Sequence, residues 1–143
     1  MPPPSGMPIG RHLASTAKSI SRAFGEALAG AGGTEHVWAI LMALKTTTNA
    51  NQRGLAAVVG IQGATLTHHL NAMEDDGLVT RRRDPDNRRV HIVQLTSEGE
   101  AAFLRLRSAA VEFDRRLRGD LPDEEIGRFA AVLDRLRANA TGE

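Results

Sequence analysis

The segment from Val79 to Leu95 constrains the fold most, because it consists of two short β-forming runs around a polar turn. Val79-Thr80 and the run 90–93 are rich in β-branched residues, and the turn between them is Asp84-Pro85-Asp86-Asn87. Proline fixes φ, and Asp and Asn accept turn geometry, so we expect a strand–turn–strand projection, called the hairpin below. Five of its residues are arginines: Arg81, Arg82, Arg83, Arg88 and Arg89. A stiff projection with this density of guanidinium charge suits a polyanion, and we expect nucleic acid.

Charge is distributed unevenly along a chain whose formal net charge is only +1. Residues 45–91 hold seven Lys and Arg against five acids, whereas residues 97–143 hold eight against ten. Only the middle of the chain is therefore expected to face phosphate. Aromatic residues make up 3% of the sequence, which argues against a stacking platform for single strands and leaves a duplex as the expected partner.

Several classes of function find no support in the sequence. There is no cysteine, which excludes disulfides, thiolate redox sensing and cysteine-type zinc sites. No nucleophile motif, Gly-rich phosphate loop or paired metal-ligand spacing is present, so we expect no enzyme activity, no cofactor and no metal. The N-terminus lacks a signal-like apolar core and no stretch approaches a membrane span, so a cytoplasmic protein without a membrane partner is expected.

Hydrophobic periodicity predicts a mainly helical chain around the hairpin. Residues 1–8 are Pro-rich and are expected to form a disordered tail. Helices are predicted over residues 9–31, 34–45, 52–59 and 63–76, with two more that begin near Ser97 and Asp123. Asn51 is expected to cap the third helix and Gly77 to end the fourth. The residues expected to point inward from these two helices are Leu55, Val58, Val59, Leu66, Leu70 and Met73.

Two short helices with a Gly-containing turn, followed by a basic hairpin, form a winged helix-turn-helix over Asn51–Thr96. In such a unit the second helix lies in the major groove, and the wing reaches the backbone or the minor groove. The chain resembles the MarR family of transcriptional regulators in its motifs at Leu55-Ala56, Gly60-Ile61, Thr65-Leu66-Thr67, Leu70, Glu74–Val79, Asp84–Arg89 and Leu95–Gly99.

The resemblance implies a mainly α (α+β) fold with a single MarR-like domain over residues 9–143. Residues 34–96 would be the winged lobe, and residues 9–33 and 97–143 would be helices that interleave in an obligate homodimer. Independently of the family, these terminal helices are too apolar to be satisfied by one small lobe. The implied function is regulation of transcription, as a repressor that a small molecule releases from a near-palindromic duplex site.

The fourth helix is the expected recognition helix. Its candidate contacts to bases or phosphates are Gln62, Thr65, Thr67, His68, His69 and Asn71. Family members often carry Arg or Lys at positions 68 and 72, whereas this chain has His68 and Ala72. Because residues 54–80 contain no Lys or Arg, phosphate attraction is expected from the hairpin together with Lys45 and Arg53. Protonation of His68 or His69 is expected to strengthen DNA binding as pH falls.

The wing is expected to supply the strongest phosphate or minor-groove contacts through Arg88 and Arg89. The resemblance implies that one arginine enters the minor groove while another pairs with Asp84 or Asp86 to stiffen the wing. Which arginine does which is left open by the sequence.

A possible effector cleft is suggested by Trp38, Met42 and Phe103, with Arg11 and His12 near it to meet an aromatic or anionic ligand. An apolar helical stripe of this kind is also typical of plain core. His36, beside Glu35, is placed like a metal ligand of some relatives, although no metal is expected. The alternative to DNA binding is a winged helix that mediates only protein–protein contact.

Overall fold

The computed structural model describes residues 6–47 and 50–143, and within them the chain forms six helices and two strands. The predicted mainly helical winged-helix fold is confirmed. Residues 1–5 of the predicted tail and residues 48–49 of the polar run before Asn51 lie outside the described residues. The elements are α1 (Ile9–Gly30), α2 (Glu35–Thr46), α3 (Gln52–Val59), α4 (Gly63–Asp75), β1 (Val79–Arg83), β2 (His91–Leu95), α5 (Ser97–Arg118) and α6 (Asp123–Thr141).

The chain divides into two compact units, Met1–Ala110 and Val111–Glu143. The boundary between these units falls inside α5. The physical reason is that the first part of α5 contributes Ala102 and Leu106 to the core of the first unit. Within the described residues, no helix is long and apolar enough to cross a membrane.

Helix α2 lies at the centre of the first unit and contacts α1, α3, α4 and β2. Its Ile40 and Leu41 are fully buried, as expected for a helix with apolar residues on nearly every side. Met42 is the exception and is 43% exposed. The other fully buried large side chains are Leu28, Leu55, Leu66, Leu70, Met73, Val79 and Leu106.

Two side-chain caps fix where α2 and α3 begin. The Thr34 hydroxyl accepts a hydrogen bond from the backbone N–H of Val37 at 3.2 Å. The Asn51 Oδ1 accepts from the N–H of Gly54 at 2.7 Å, which confirms the predicted cap. Each cap satisfies a backbone donor that has no partner inside the helix.

Helix α3 buries a narrower face than the sequence suggested. Leu55 is buried and Val59 is half-buried, but Val58 is 63% exposed, so the prediction that Val58 points inward is wrong. Neighbouring helical residues point about 100° apart. Val58 is therefore rotated about 100° from Val59 around the helix axis, and its side chain lies outside the stripe that faces the core.

The hairpin is an antiparallel pair that runs from Val79 opposite Leu95 to Arg83 opposite His91. Strand β1 is longer than the predicted Val79-Thr80, so three of the arginines lie in the strand itself. The chain just before α3 joins the sheet, since the N–H of Val93 donates to the carbonyl of Ala50 at 2.9 Å. This bond ties the wing to the helix-turn-helix.

The base of the hairpin is locked to the start of α5. The hydroxyl of Thr96 donates to the carbonyl of Gly77 at 2.5 Å and accepts from the N–H of Gly99 at 3.0 Å. A Cβ at position 99 would lie 2.1 Å from the carbonyl oxygen of Leu78, so only glycine allows this approach. Gly77 has a φ of +78° and ends α4 as predicted.

Candidate nucleic-acid interface

One face of α4 is open, and the opposite face is buried. Leu66, Leu70 and Met73 are at most 1% exposed, which matches the predicted inward stripe. The candidate contact residues that are exposed are Gln62, Thr65, His68 and Asn71. Their amide, hydroxyl and imidazole groups are of the kinds that hydrogen-bond to base edges in the major groove.

Thr67 occupies a different position from the one expected. It is half-buried, and its hydroxyl accepts from the Gln52 side chain at 2.6 Å and donates to the carbonyl of Gly63 at 2.9 Å. Because its single proton is already committed, Thr67 joins α3 to α4 and has no donor left for a base.

His69 also turns away from the open face of α4. It is half-buried, and its ring stacks on that of His36 from α2 with the centroids 4.6 Å apart. The ring of His68 lies 5.7 Å away in an edge arrangement. Partial burial lowers the pKa of His69 below the usual histidine range, and the nearby His36 and His68 imidazoles lower it further. Sequence reasoning missed this pair because positions 36 and 69 meet only in the folded chain.

Four of the five hairpin arginines are exposed: Arg82, Arg83, Arg88 and Arg89. Arg83 donates to the carbonyl of Arg88 at 3.4 Å, a long and weak contact. The hairpin is stiffened by its turn, where Asp84 Oδ1 accepts from the N–H of Asp86 at 2.9 Å. No ion pair joins a wing aspartate to an arginine within residues 6–47 and 50–143, so the expected pairing of Asp84 or Asp86 is not seen.

Arg81 differs from the other hairpin arginines, because its side chain is only 17% exposed. Its Nη2 lies 3.1 Å from Glu74 Oε1 and 2.6 Å from Asn71 Oδ1. The hydrogen bond from the Arg81 side chain lowers the pKa of the Glu74 carboxyl below its usual value. The structure thus brings Asn71 of the recognition helix into contact with Arg81 of the wing, two residues that the sequence assigned separately. It also places Glu74 at this contact, although the sequence had not marked Glu74 as a site residue.

Lys45 is engaged within the fold. Its Nζ lies 2.8 Å from Glu100 Oε2 and 5.5 Å from the centroid of the Phe103 ring. This differs from the expected phosphate contact. Arg53, the other candidate outside the hairpin, is exposed.

A groove of about 750 Å³ separates the helix-turn-helix from the hairpin. Arg53 from α3, Arg81 from β1 and Arg89 from the turn all line it. Because Glu74 balances the charge of Arg81, the positive charge that converges on this concave surface comes from Arg53 and Arg89. Asn87 and His91 also line the groove, although the sequence gave them no role. Convergent positive charge in a cleft attracts polyanions more strongly than the same charge on a flat face.

Two of the residues proposed for an effector cleft stack on each other. Trp38 is 9% exposed and stacks on Phe103 with the ring centroids 5.5 Å apart, as in ordinary core packing. Neither residue lines the groove. Arg11 is exposed and His12 half-buried on α1. In the part of the chain that the structure describes, no cluster of three His, Asp or Glu residues is placed to hold a metal ion.

Comparison with known proteins gives this architecture its family. The MarR family model matches residues 34–91, which include α2, α3, α4 and most of the hairpin. A transcriptional repressor, CouR, bound to a 23-mer DNA duplex superposes with a TM-score of 0.83 at 26% identity, over 91% of this chain and 92% of CouR. The segment 34–91 belongs to the MarR family.

Two uncharacterized HTH-type transcriptional regulators of Bacillus subtilis match this chain over different lengths. YdgJ is 30% identical over 100 residues, which is 70% of this chain and 61% of YdgJ. YwoH is 26% identical over 129 residues, which is 87% of this chain and 93% of YwoH. The matched segment, the superposition on CouR and these relatives together support a MarR-family transcriptional regulator with a winged helix.

Proposed function

We propose that this regulator binds a specific double-stranded DNA site as a homodimer and represses transcription by occluding a promoter. The observation that carries the proposal is the groove between the helix-turn-helix and the hairpin. Arg53 from α3, Thr67 from α4 and Arg89 from the hairpin line it. A helix with open polar side chains next to a basic wing is the arrangement that reads duplex DNA.

The positive charge of the wing suits contact with the DNA backbone, and the polar side chains of α4 suit contact with bases. The side chains of Arg82, Arg88 and Arg89 form no hydrogen bond or ion pair within the described chain, so they are free to meet phosphate or the minor groove. Gln62, Thr65 and His68 supply neutral donors and acceptors to the major groove. Specificity would therefore come from α4 and most of the affinity from the hairpin.

Each compact unit, taken by itself, leaves apolar surface uncovered that a second copy would bury. In the first unit, Ile9 is 58% and Leu104 61% exposed. In the second unit, Phe129 is 55% and Val132 48% exposed, and none of the described residues of α6 is buried. Helices with open apolar faces of this kind are typical of an obligate dimer interface.

Release by a small aromatic or anionic molecule is the remaining part of the proposal, and Arg11, His12 and Met42 stay its candidate contacts. Trp38 and Phe103 would enter such a site only if a ligand separated their stacked rings. A screen of aromatic acids for release of bound DNA tests this part alone.

The proposed function is tested by selecting bound sequences from random duplex DNA and measuring the affinity of the best one across salt concentrations. We expect a paired half-site and a steep fall of affinity with salt, since several arginines displace counterions. A protein–protein module would instead show no enrichment of any duplex and no salt dependence, and that result would remove the proposal.

A further inference from the structure

Arg81 is built into the wing differently from its neighbours. All five hairpin arginines are described, and only Arg81 pairs with an acid. It lies in the middle of β1 opposite Val93, at the side of the hairpin that meets α4. A guanidinium whose charge is already balanced is a poor candidate for phosphate.

Three hydrogen bonds join Arg81 to the C-terminal half of α4. The backbone N–H of Arg81 donates to Glu74 Oε2 at 3.2 Å, and its Nη2 donates to Glu74 Oε1 at 3.1 Å and to Asn71 Oδ1 at 2.6 Å. Glu74 therefore accepts from both the backbone and the side chain of one residue. Such a doubly anchored pair fixes the angle between strand and helix better than a single contact.

We propose that Glu74 and Arg81 are positioning residues that hold the wing against the recognition helix, and that Arg81 orients Asn71 to present N–H donors to DNA. This inference rests on the proposed function and assigns roles within it. Arg81 would then contribute to DNA binding through geometry, and the four exposed hairpin arginines would supply the phosphate contacts.

The chemistry of Asn71 limits what it can recognise. An asparagine that reads adenine uses its amide oxygen as the acceptor for N6 and its NH₂ as the donor to N7. In this structure the amide oxygen of Asn71 already accepts from a charged donor. The NH₂ group remains available as a donor, for which guanine offers two adjacent acceptors, N7 and O6, whereas adenine offers only N7. Asn71 is therefore expected to favour guanine over adenine.

The sign of a charge-removing substitution tests the positioning role. Replacing an acid beside a polyanion should by itself strengthen binding, because repulsion is removed. We expect Glu74→Ala to weaken binding of the selected duplex about five- to tenfold instead, since it removes the hydrogen bonds that hold the hairpin against α4. The matched control is Asp75→Ala, which removes the next acid of α4 and should leave affinity unchanged or raised. Unchanged or tighter binding by Glu74→Ala would overturn the inference.

Salt dependence distinguishes positioning from phosphate contact. Arg89→Ala removes a groove-lining guanidinium that has no acid partner and should reduce the slope of log affinity against log salt by about one. Arg81→Ala should weaken binding with little change in that slope. A slope change at Arg81 equal to that at Arg89 would make Arg81 a phosphate contact and contradict its assignment here.

The base preference is tested by repeating the selection with Asn71→Ala. The position whose preference relaxes should be a guanine in the wild-type site, and an adenine there would contradict the donor-only role of Asn71.

Glu74→Gln keeps an acceptor oxygen but loses the charge, so its affinity for DNA should fall between those of wild type and Glu74→Ala. Unfolding midpoints confirm that the variants fold. If wild type binds no duplex, the proposed function fails; if it binds and Glu74→Ala binds equally well, only this inference fails.

Discussion

At the scale of single residues, the contacts separate arginines that look equivalent in the sequence. Arg81 is paired with Glu74, whereas Arg82, Arg88 and Arg89 have no side-chain partner within the chain's described part. Arg81 differs because it lies beside α4, where Glu74 and Asn71 accept its hydrogen bonds. The unpaired arginines are the ones available to DNA.

Removing the two arginines after the wing turn should weaken DNA binding. Each of the variants Arg88→Ala and Arg89→Ala is expected to cost roughly 1–3 kcal/mol, since a guanidinium contact to phosphate or the minor groove is lost. Fluorescence anisotropy with the selected duplex measures the loss. Arg105→Ala, which removes an exposed arginine on α5, is the matched control and should change affinity little.

Gly99 carries a prediction about stability that is independent of DNA. Gly99→Ala should destabilise the chain by roughly 1–3 kcal/mol, because its Cβ would overlap the Leu78 carbonyl oxygen and force the hairpin away from α5. Gly63→Ala is the control, since a Cβ there meets nothing within 4 Å. Equal unfolding midpoints for the two variants would contradict the close approach.

At the scale of secondary-structure elements, the contact between α2 and α4 is made sensitive to pH by the stacked rings of His36 and His69. The pKa of His69 is lowered in the folded chain, so the unfolded chain binds more protons once the pH drops below the ordinary histidine value. Stability should therefore fall as the pH decreases through about 6.5 toward the lowered pKa of His69.

Chemical denaturation at about pH 7.5 and about pH 5.5 measures this loss, on either side of the ordinary histidine pKa. His69→Phe keeps a ring against His36 but removes the titrating group, so its stability should vary less over this range. His91→Gln, which removes an exposed histidine that takes no part in the stack, serves as the matched control. A wild-type stability that rises on acidification would show that the stack does not resist protonation.

At the scale of the whole molecule, the uncovered apolar side chains predict a dimer. Phe129→Glu should shift the chain toward monomer in sedimentation velocity, because a carboxylate would have to be buried with the rest of the apolar face. Arg135→Glu, which places the same charge at an exposed polar position of α6, is the control. A wild-type chain that sediments as a monomer at micromolar concentration would contradict the proposed dimer.

The sequence by itself determined the order of elements, the caps and the wing. Local signals were sufficient for these features: a polar turn around Pro85, a side-chain cap at Asn51 and apolar residues at helical spacing. Such signals depend only on near neighbours in the chain, and they also carry the family resemblance. The exposed face of α4 followed from the same periodicity.

Tertiary structure alone decided which candidate side chains are available. Thr67, His69, Lys45 and Arg81 have the right chemistry for DNA, yet each is engaged by a residue from another element, namely Gln52, His36, Glu100 and Glu74. All of these partners are seven or more positions away along the chain, so no local pattern reveals them. A side chain's role depends on what folding places beside it, and that is a property of packing.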